Sequence, residues 1–227
     1  MMMMNLFSNF DPISSIILFP LNWLSMNLSF FFLPLILWNS SSRYIFSKFF
    51  FYFYIFNEFK NLINEKKNSY IPLLLTSIFM LIFINNFMSL YPFIFTPTSH
   101  LSLTMSFALP IWLCFILFSL INLFKSMCAH LLPLNTPSIL MPFMIIIESI
   151  SLLIRPITLS IRLSANLISG HLLLTLLGMA SSINILSSPF MTFTQMILLL
   201  LEISVSLIQA YVFSMLISLY YKETLMN

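Results

Sequence analysis

The feature that most constrains this chain is where its charges are missing. No Asp, Glu, Lys or Arg occurs in residues 12–42, 68–124, 126–147, 163–201 or 203–221. A helix that spans a bilayer needs about 20 predominantly apolar residues, so these windows hold five or six membrane segments. Composition agrees. Of 227 residues, 60% are hydrophobic and 7% charged, where an ordinary soluble domain is about a quarter charged. Mean hydropathy is +1.02. The apolar runs are continuous, as in Ile78-Phe79-Met80-Leu81-Ile82-Phe83-Ile84, whereas the strands of a membrane barrel alternate over about ten residues. Helices close their backbone hydrogen bonds within one segment, as lipid demands. The expectation is an all-α integral membrane protein, one membrane domain over 1–227, with about five membrane helices and one interfacial helix.

The same arithmetic excludes several functions. A net charge of +3, scattered along the chain, is too weak a footprint for nucleic acid. Two glycines cannot build a Gly-rich phosphate loop, so no nucleotide is bound directly. Cys114 and Cys128 form neither a CxxC pair nor a disulfide framework and read as packing residues. No cofactor or metal is expected, since haem and copper sites need paired imidazoles and His100, His130 and His171 stand apart. The first basic residue is Arg43, so the early positive charge of a cleavable targeting segment is missing. Phe, Ile, Leu, Met, Asn and Ser dominate while Gly and Ala are scarce. That bias suggests an AT-rich reading frame in an organelle genome; a nuclear gene of balanced base composition would exclude it.

Residues 13–38 read as the first membrane helix, between or slightly beyond Pro20 and Pro34. Residues 43–67 hold Arg43, Lys48, Lys60, Lys66 and Lys67, with Glu58, Glu65 and many aromatics. This pattern suits an interfacial helix, rings among headgroups and ammonium groups in water; a solvated loop is the alternative. Five of nine basic residues in one connection put it on the matrix or cytoplasmic side. Segment 71–90 then crosses outward, Tyr91–His100 turns outside, and 103–124, with Pro110, returns to Lys125 on the basic side.

The last third is different. Residues 139–178 and 190–221 are interrupted only by Pro142 and Pro156. As helices they would measure about 60 and 48 Å, against a hydrocarbon layer of about 30 Å. Either each is broken or both lie steeply inclined; a long inclined hairpin with its turn near 181–189 is the favoured reading, tilt being the ordinary remedy for excess length.

That hairpin carries Glu148, Arg155, Arg162, His171 and Glu202, together with Asn166 and Gln209. A charge at the bilayer centre costs about 2.5–3.5 kcal/mol even on the lenient insertion scale and marks function by default. Glu148, Arg155 and Arg162 recur every seven residues, so they share a face with a drift of about 20° per step. Asn166 lies one turn beyond Arg162. His171 falls about 180° from Arg162 and cannot share its partner on a straight helix. Glu202, Ser206 and Gln209 make a second stripe at i, i+4, i+7. Each has a plainer alternative. Arg155 could snorkel to a surface, Glu148 could sit in the interface, and His171 could pack against a carbonyl. Arg162 and Glu202 have the weakest such alternatives, because long uncharged runs flank them.

Arg162-Leu163-Ser164-Ala165-Asn166, followed by Gly170-His171-Leu172-Leu173-Leu174, resembles the signature of the subunit a family of rotary ATP synthases, in a mitochondrial, arthropod-like form. Asn85-Asn86-Phe87, Tyr91-Pro92-Phe93 with Thr98-Ser99-His100, Glu148 with Ile154-Arg155-Pro156, and Ser206 to Phe213 extend the likeness over nearly the whole chain. One departure is Pro133-Leu134-Asn135-Thr136-Pro137, where the family often has Gly before Thr-Pro; Asn tolerates a left-handed turn better than most residues.

The resemblance implies a proton-translocating stator in the mitochondrial inner membrane, itself non-catalytic. Its implied partners are a ring of c subunits, other membrane and peripheral-stalk subunits of the synthase, the lipid bilayer and protons. Two half-channels would meet at Arg162, opposite the ring carboxylate. A guanidinium stays charged, so it cannot relay a proton and it favours an ionised carboxylate beside it. By the same resemblance His171 and Glu202 match the outer relay, Gln209 lies near Arg162 across the hairpin, and Asn166 lines the path. Glu148 and Arg155 are exit candidates, while Ser99 and His100 read as ordinary loop. Two rivals remain on the residues alone: a respiratory-chain membrane subunit, and a secondary transporter, which usually shows internal repeats.

Overall fold

A computed structural model describes residues 7, 10–13, 20–27, 43–63, 70–91, 94–122, 124–130, 137, 140–183 and 188–226. Among these there are helices and turns and no strand. A 3₁₀ helix, Leu21–Asn27, precedes α1 (Arg43–Ile63), α2 (Tyr70–Ser89), a 3₁₀ turn (Pro97–Ser99), α3 (Leu101–Asn122), the short α4 (Phe124–His130), α5 (Met141–Ile183) and α6 (Ser188–Met226). Four helices are long and apolar enough to cross a membrane: α2, α3, α5 and α6. Most of the expected first membrane helix, 13–38, lies outside the described residues. So do Glu65, Lys66 and Lys67 and the Pro133–Thr136 departure.

The two long stretches are unbroken. At about 1.5 Å per residue, the 43 residues of α5 extend about 64 Å and the 39 of α6 about 58 Å. Pro110 and Pro156 lie inside α3 and α5 without ending them. The first arm reaches Ile183, past Ser181 and Ser182 of the expected turn, and the second begins at Ser188.

The helices meet along stripes of helical period. Ile55, Phe59 and Ile63 of α1, Leu75, Phe79 and Ile82 of α2, Leu159, Leu163 and Leu167 of α5, and Ala210, Phe213, Ile217 and Tyr221 of α6 form one buried cluster. Helix α6 packs against α1, α2, α3 and α5, and α3 packs against α5. Lipid gives apolar helices no reason to leave it, so close packing must supply the association, and small residues allow it. Ser160, Ser164, Ser206, Ser214 and Ser218 are buried at these contacts. Each hydroxyl donates to the carbonyl three residues back in its own helix, so serine serves as a small residue with no unpaired donor. Large apolar side chains such as Ile146, Leu153, Leu200 and Ile208 face outward instead. Cys114 and Cys128 are also exposed.

Helix α1 is more than a surface float. Arg43 and Lys60 are exposed as an interfacial helix requires, but its Ile55–Phe59–Ile63 stripe is buried against α2 and α6.

Candidate functional site

Three helices border a small cavity of about 20 Å³ lined by both polar and apolar side chains, enough for one water. Helix α5 contributes Leu163, Asn166, Leu167, Gly170 and His171; α6 contributes Glu202, Val205, Ser206 and Gln209; α2 contributes Asn86 and Leu90. At about 100° per residue the five α5 positions span an arc of about 140°, and the four α6 positions about 100°. The two arms of the hairpin therefore turn their polar faces toward each other.

Gly170 makes the closest approach possible. A Cβ built there would collide with Oε1 of Glu202 and stand 3.0 Å from its Cδ. Only a residue without a side chain leaves room for the carboxylate. Both Glu202 carboxylate oxygens and His171 Nε2 are buried with no protein hydrogen-bond partner among the described residues. Leaving such groups unpaired costs about 1–3 kcal/mol each, so each calls for water or a proton-bearing partner. The Phe10 ring meets the His171 imidazole edge-on, with centroids 6.3 Å apart.

Arg162 is excluded from this cavity. It lies about 40° outside Asn166 and about 180° from His171 on the α5 helix, and its side chain is exposed. No described residue gives it an ion pair or hydrogen bond, and none joins it to Gln209, which faces Asn166 across the cavity instead. The structure thus gathers Asn166, His171, Glu202 and Gln209, and sets Arg162 on the adjoining outer face. Glu148 and Arg155 are elsewhere. The Arg155 guanidinium lies 5.2 Å from the Tyr220 ring centroid, a cation–π contact tying α5 to α6, and Glu148 is half-buried seven residues earlier.

The sequence reading passed over a second polar group. Asn85 and Asn86 at the end of α2 are 2% and 1% exposed, and Thr98 is 1% exposed. Asn85 Nδ2, Asn86 Oδ1, Thr98 Oγ1 and His100 Nε2 are buried without partners among the described residues. His100 is flanked by the rings of Trp23 and Phe95, each with its centroid 5.2 Å away. The Ser25 hydroxyl donates to the Phe95 carbonyl at 3.2 Å, fastening the first 3₁₀ helix to this loop. Its 3₁₀ turn, Pro97–Ser99, contacts α2, α3 and α5, so it is a packed plug rather than a free connection. An Asn pair at the end of a membrane helix was the available signal.

Comparison with known proteins gives the same direction. Residues 20–222 match the family model described as ATP synthase A chain. The chain is 50% identical over 223 residues to ATP synthase subunit a of Drosophila melanogaster, covering 98% of this chain and 99% of that one. It is 48% identical over 226 residues to the protein of that name from Anopheles gambiae and 47% over 225 to that of Locusta migratoria, with the same coverage. The chain belongs to the ATP synthase A chain family.

Proposed function

We propose that this chain is the proton-conducting stator of the membrane sector of an ATP synthase, multi-pass in the mitochondrial inner membrane. It would deliver protons to and from the carboxylate on a turning c-subunit ring and so drive ATP synthesis. The ring, the remaining membrane subunits and the peripheral stalk are its proposed partners, and the respiratory-subunit and transporter readings find no support in the family. The two arms of the hairpin would lie inclined, since each is about twice as long as the hydrocarbon layer is thick.

The observation that carries this reading is Arg162. A fixed cation on an outward face within a membrane helix, with no partner among the described residues, needs a counter-charge from another chain. It sits one face away from an acid and an imidazole that are buried and unpaired. In the proposed cycle a proton enters from the outer side by way of the Asn85–Asn86 and Thr98–His100 group. It passes between His171 and Glu202, both able to accept and release it, and reaches the ring carboxylate beyond Asn166 and Gln209. The protonated, neutral ring acid then leaves through lipid. Before each carboxylate is reloaded, Arg162 holds it ionised. Because a guanidinium does not release its proton, the same residue blocks direct leakage between half-channels. Each proton carries about 2.3 kcal/mol per 100 mV.

The test is proton-driven ATP synthesis by the assembled complex. Arg162→Ala abolishes it while leaving the complex assembled, and Arg162→Lys does not restore it, since a buried lysine can lose its proton. Normal synthesis in either variant contradicts the assignment.

A further inference from the structure

A cleft of about 470 Å³ opens between α1 and α2, a volume in the range of small-molecule sites. It shares no residue with the cavity around Glu202. Phe49, Phe53 and Phe56 line it from α1, and Leu73, Leu81 and Ile84 from α2. Phe49, Phe53 and Leu73 are exposed, so the cleft faces the surroundings of the protein. Thr76 and Ser77 also border it, but their hydroxyls donate to the carbonyls of Leu73 and Leu74 at 2.8 and 2.7 Å. The α2 wall thus keeps no free hydroxyl donor for a polar ligand, and an apolar occupant fits it best.

Length and charge specify that occupant. From Leu73 to Ile84 the α2 wall runs about 16.5 Å along the helix axis, beginning three residues after the start of α2. That is about half of a hydrocarbon layer of about 30 Å, the depth of one leaflet and so of one acyl chain. A spanning helix of another chain would call for a groove along the whole layer. Phe49, Phe53, Phe56 and Lys60 recur at i, i+4, i+7 and i+11, within an arc of about 60° on α1. Exposed Lys60 therefore continues the aromatic stripe one turn past Phe56, the last α1 residue of the cleft. Glu58 lies about 160° from Lys60 around the helix, on another face. In the proposed topology α1 and the start of α2 lie on the basic side, where lysines meet anionic headgroups.

We propose that this cleft binds one acyl chain of an anionic phospholipid from the basic-side leaflet, with Lys60 on the phosphate at its mouth. The rings and aliphatic side chains hold the chain, and the lysine selects the charge of the headgroup. A chain seated there touches both walls and fastens α1 to α2. The site is separate from the proton path and does not rest on it.

The experiment photolabels the complete complex in phosphatidylcholine vesicles. One probe is phosphatidylglycerol with a photoreactive group on an acyl chain; the other is phosphatidylcholine carrying the same chain. The anionic probe labels residues 49–56 and 73–84 several-fold more than the zwitterionic one. Lys60→Gln lowers its labelling about fivefold, the worth of one lysine at an anionic surface, and Lys60→Arg keeps it. Equal labelling by the two probes overturns the proposal, as does labelling unchanged in Lys60→Gln. Phe53→p-benzoylphenylalanine names the occupant independently, and decides alone if Lys60→Gln does not assemble. A phospholipid adduct is expected; an adduct with another subunit or a second copy of this chain overturns the proposal. Labelling is read without turnover, so a failure of the stator reading leaves this result standing.

Discussion

Gly170 is where one missing methyl group decides the geometry of a functional acid. The atoms that a side chain there would strike belong to the end of Glu202, a flexible obstacle that can yield without disturbing the helices. Gly170→Ala is therefore expected to assemble normally, displace the carboxylate and slow proton-driven synthesis several-fold. Gly178→Ala, where nothing lies within 4 Å of a built Cβ, is the control and should behave as wild type. Synthesis per assembled complex checks both; an active Gly170→Ala would mean that the position of the carboxylate is immaterial. Glu202→Gln keeps the size of the side chain but cannot take up a proton. It should slow proton entry without uncoupling, and proton flux unaltered across a range of outer pH would count against a relay there.

At the scale of helices, association depends on small residues that let backbones approach. Ser160 and Ser214 are fully buried and satisfy their hydroxyls within their own helices. Ser→Ala at either site should thus be nearly neutral, whereas Ser→Leu should overpack the contact by about 1–3 kcal/mol. Thermal inactivation of the detergent-solubilised complex distinguishes the two. Much at this scale was legible beforehand. The charge-free windows located α2, α3, α5 and α6. A straight helix places Arg162 and His171 on opposite sides, and of the two only His171 lines the cavity. The closure of Asn86 over the cavity was not legible. Spanning helices that are apolar all round carry little information about their rotation, so which faces meet depends on packing between segments far apart in sequence. His100 looked like an ordinary loop residue for the same reason: one of the two rings that flank it belongs to Trp23, 77 positions earlier.

For the molecule as a whole, the arrangement is asymmetric in a way that suits a stator. One surface of the hairpin is closed by α2 and the Pro97–Ser99 turn, and Asn86 of α2 lines the cavity that holds His171 and Glu202. The adjoining surface of α5 is left open at Arg162. If this polar seam carries water from the outer side, Thr98→Cys in a chain with Cys114 and Cys128 replaced by serine should react with a water-soluble thiol reagent from that side only. The reaction should block synthesis, and an unreactive or harmlessly modified thiol would place the inlet elsewhere. The most direct measurement is a structure of the assembled membrane sector with its ring, read at the group nearest the Arg162 guanidinium. A ring carboxylate within about 4–6 Å, close enough for its charge to be held by the cation, is the expected result. A guanidinium turned toward acyl chains or bulk water, with no ring acid beside it, would contradict the proposed mechanism.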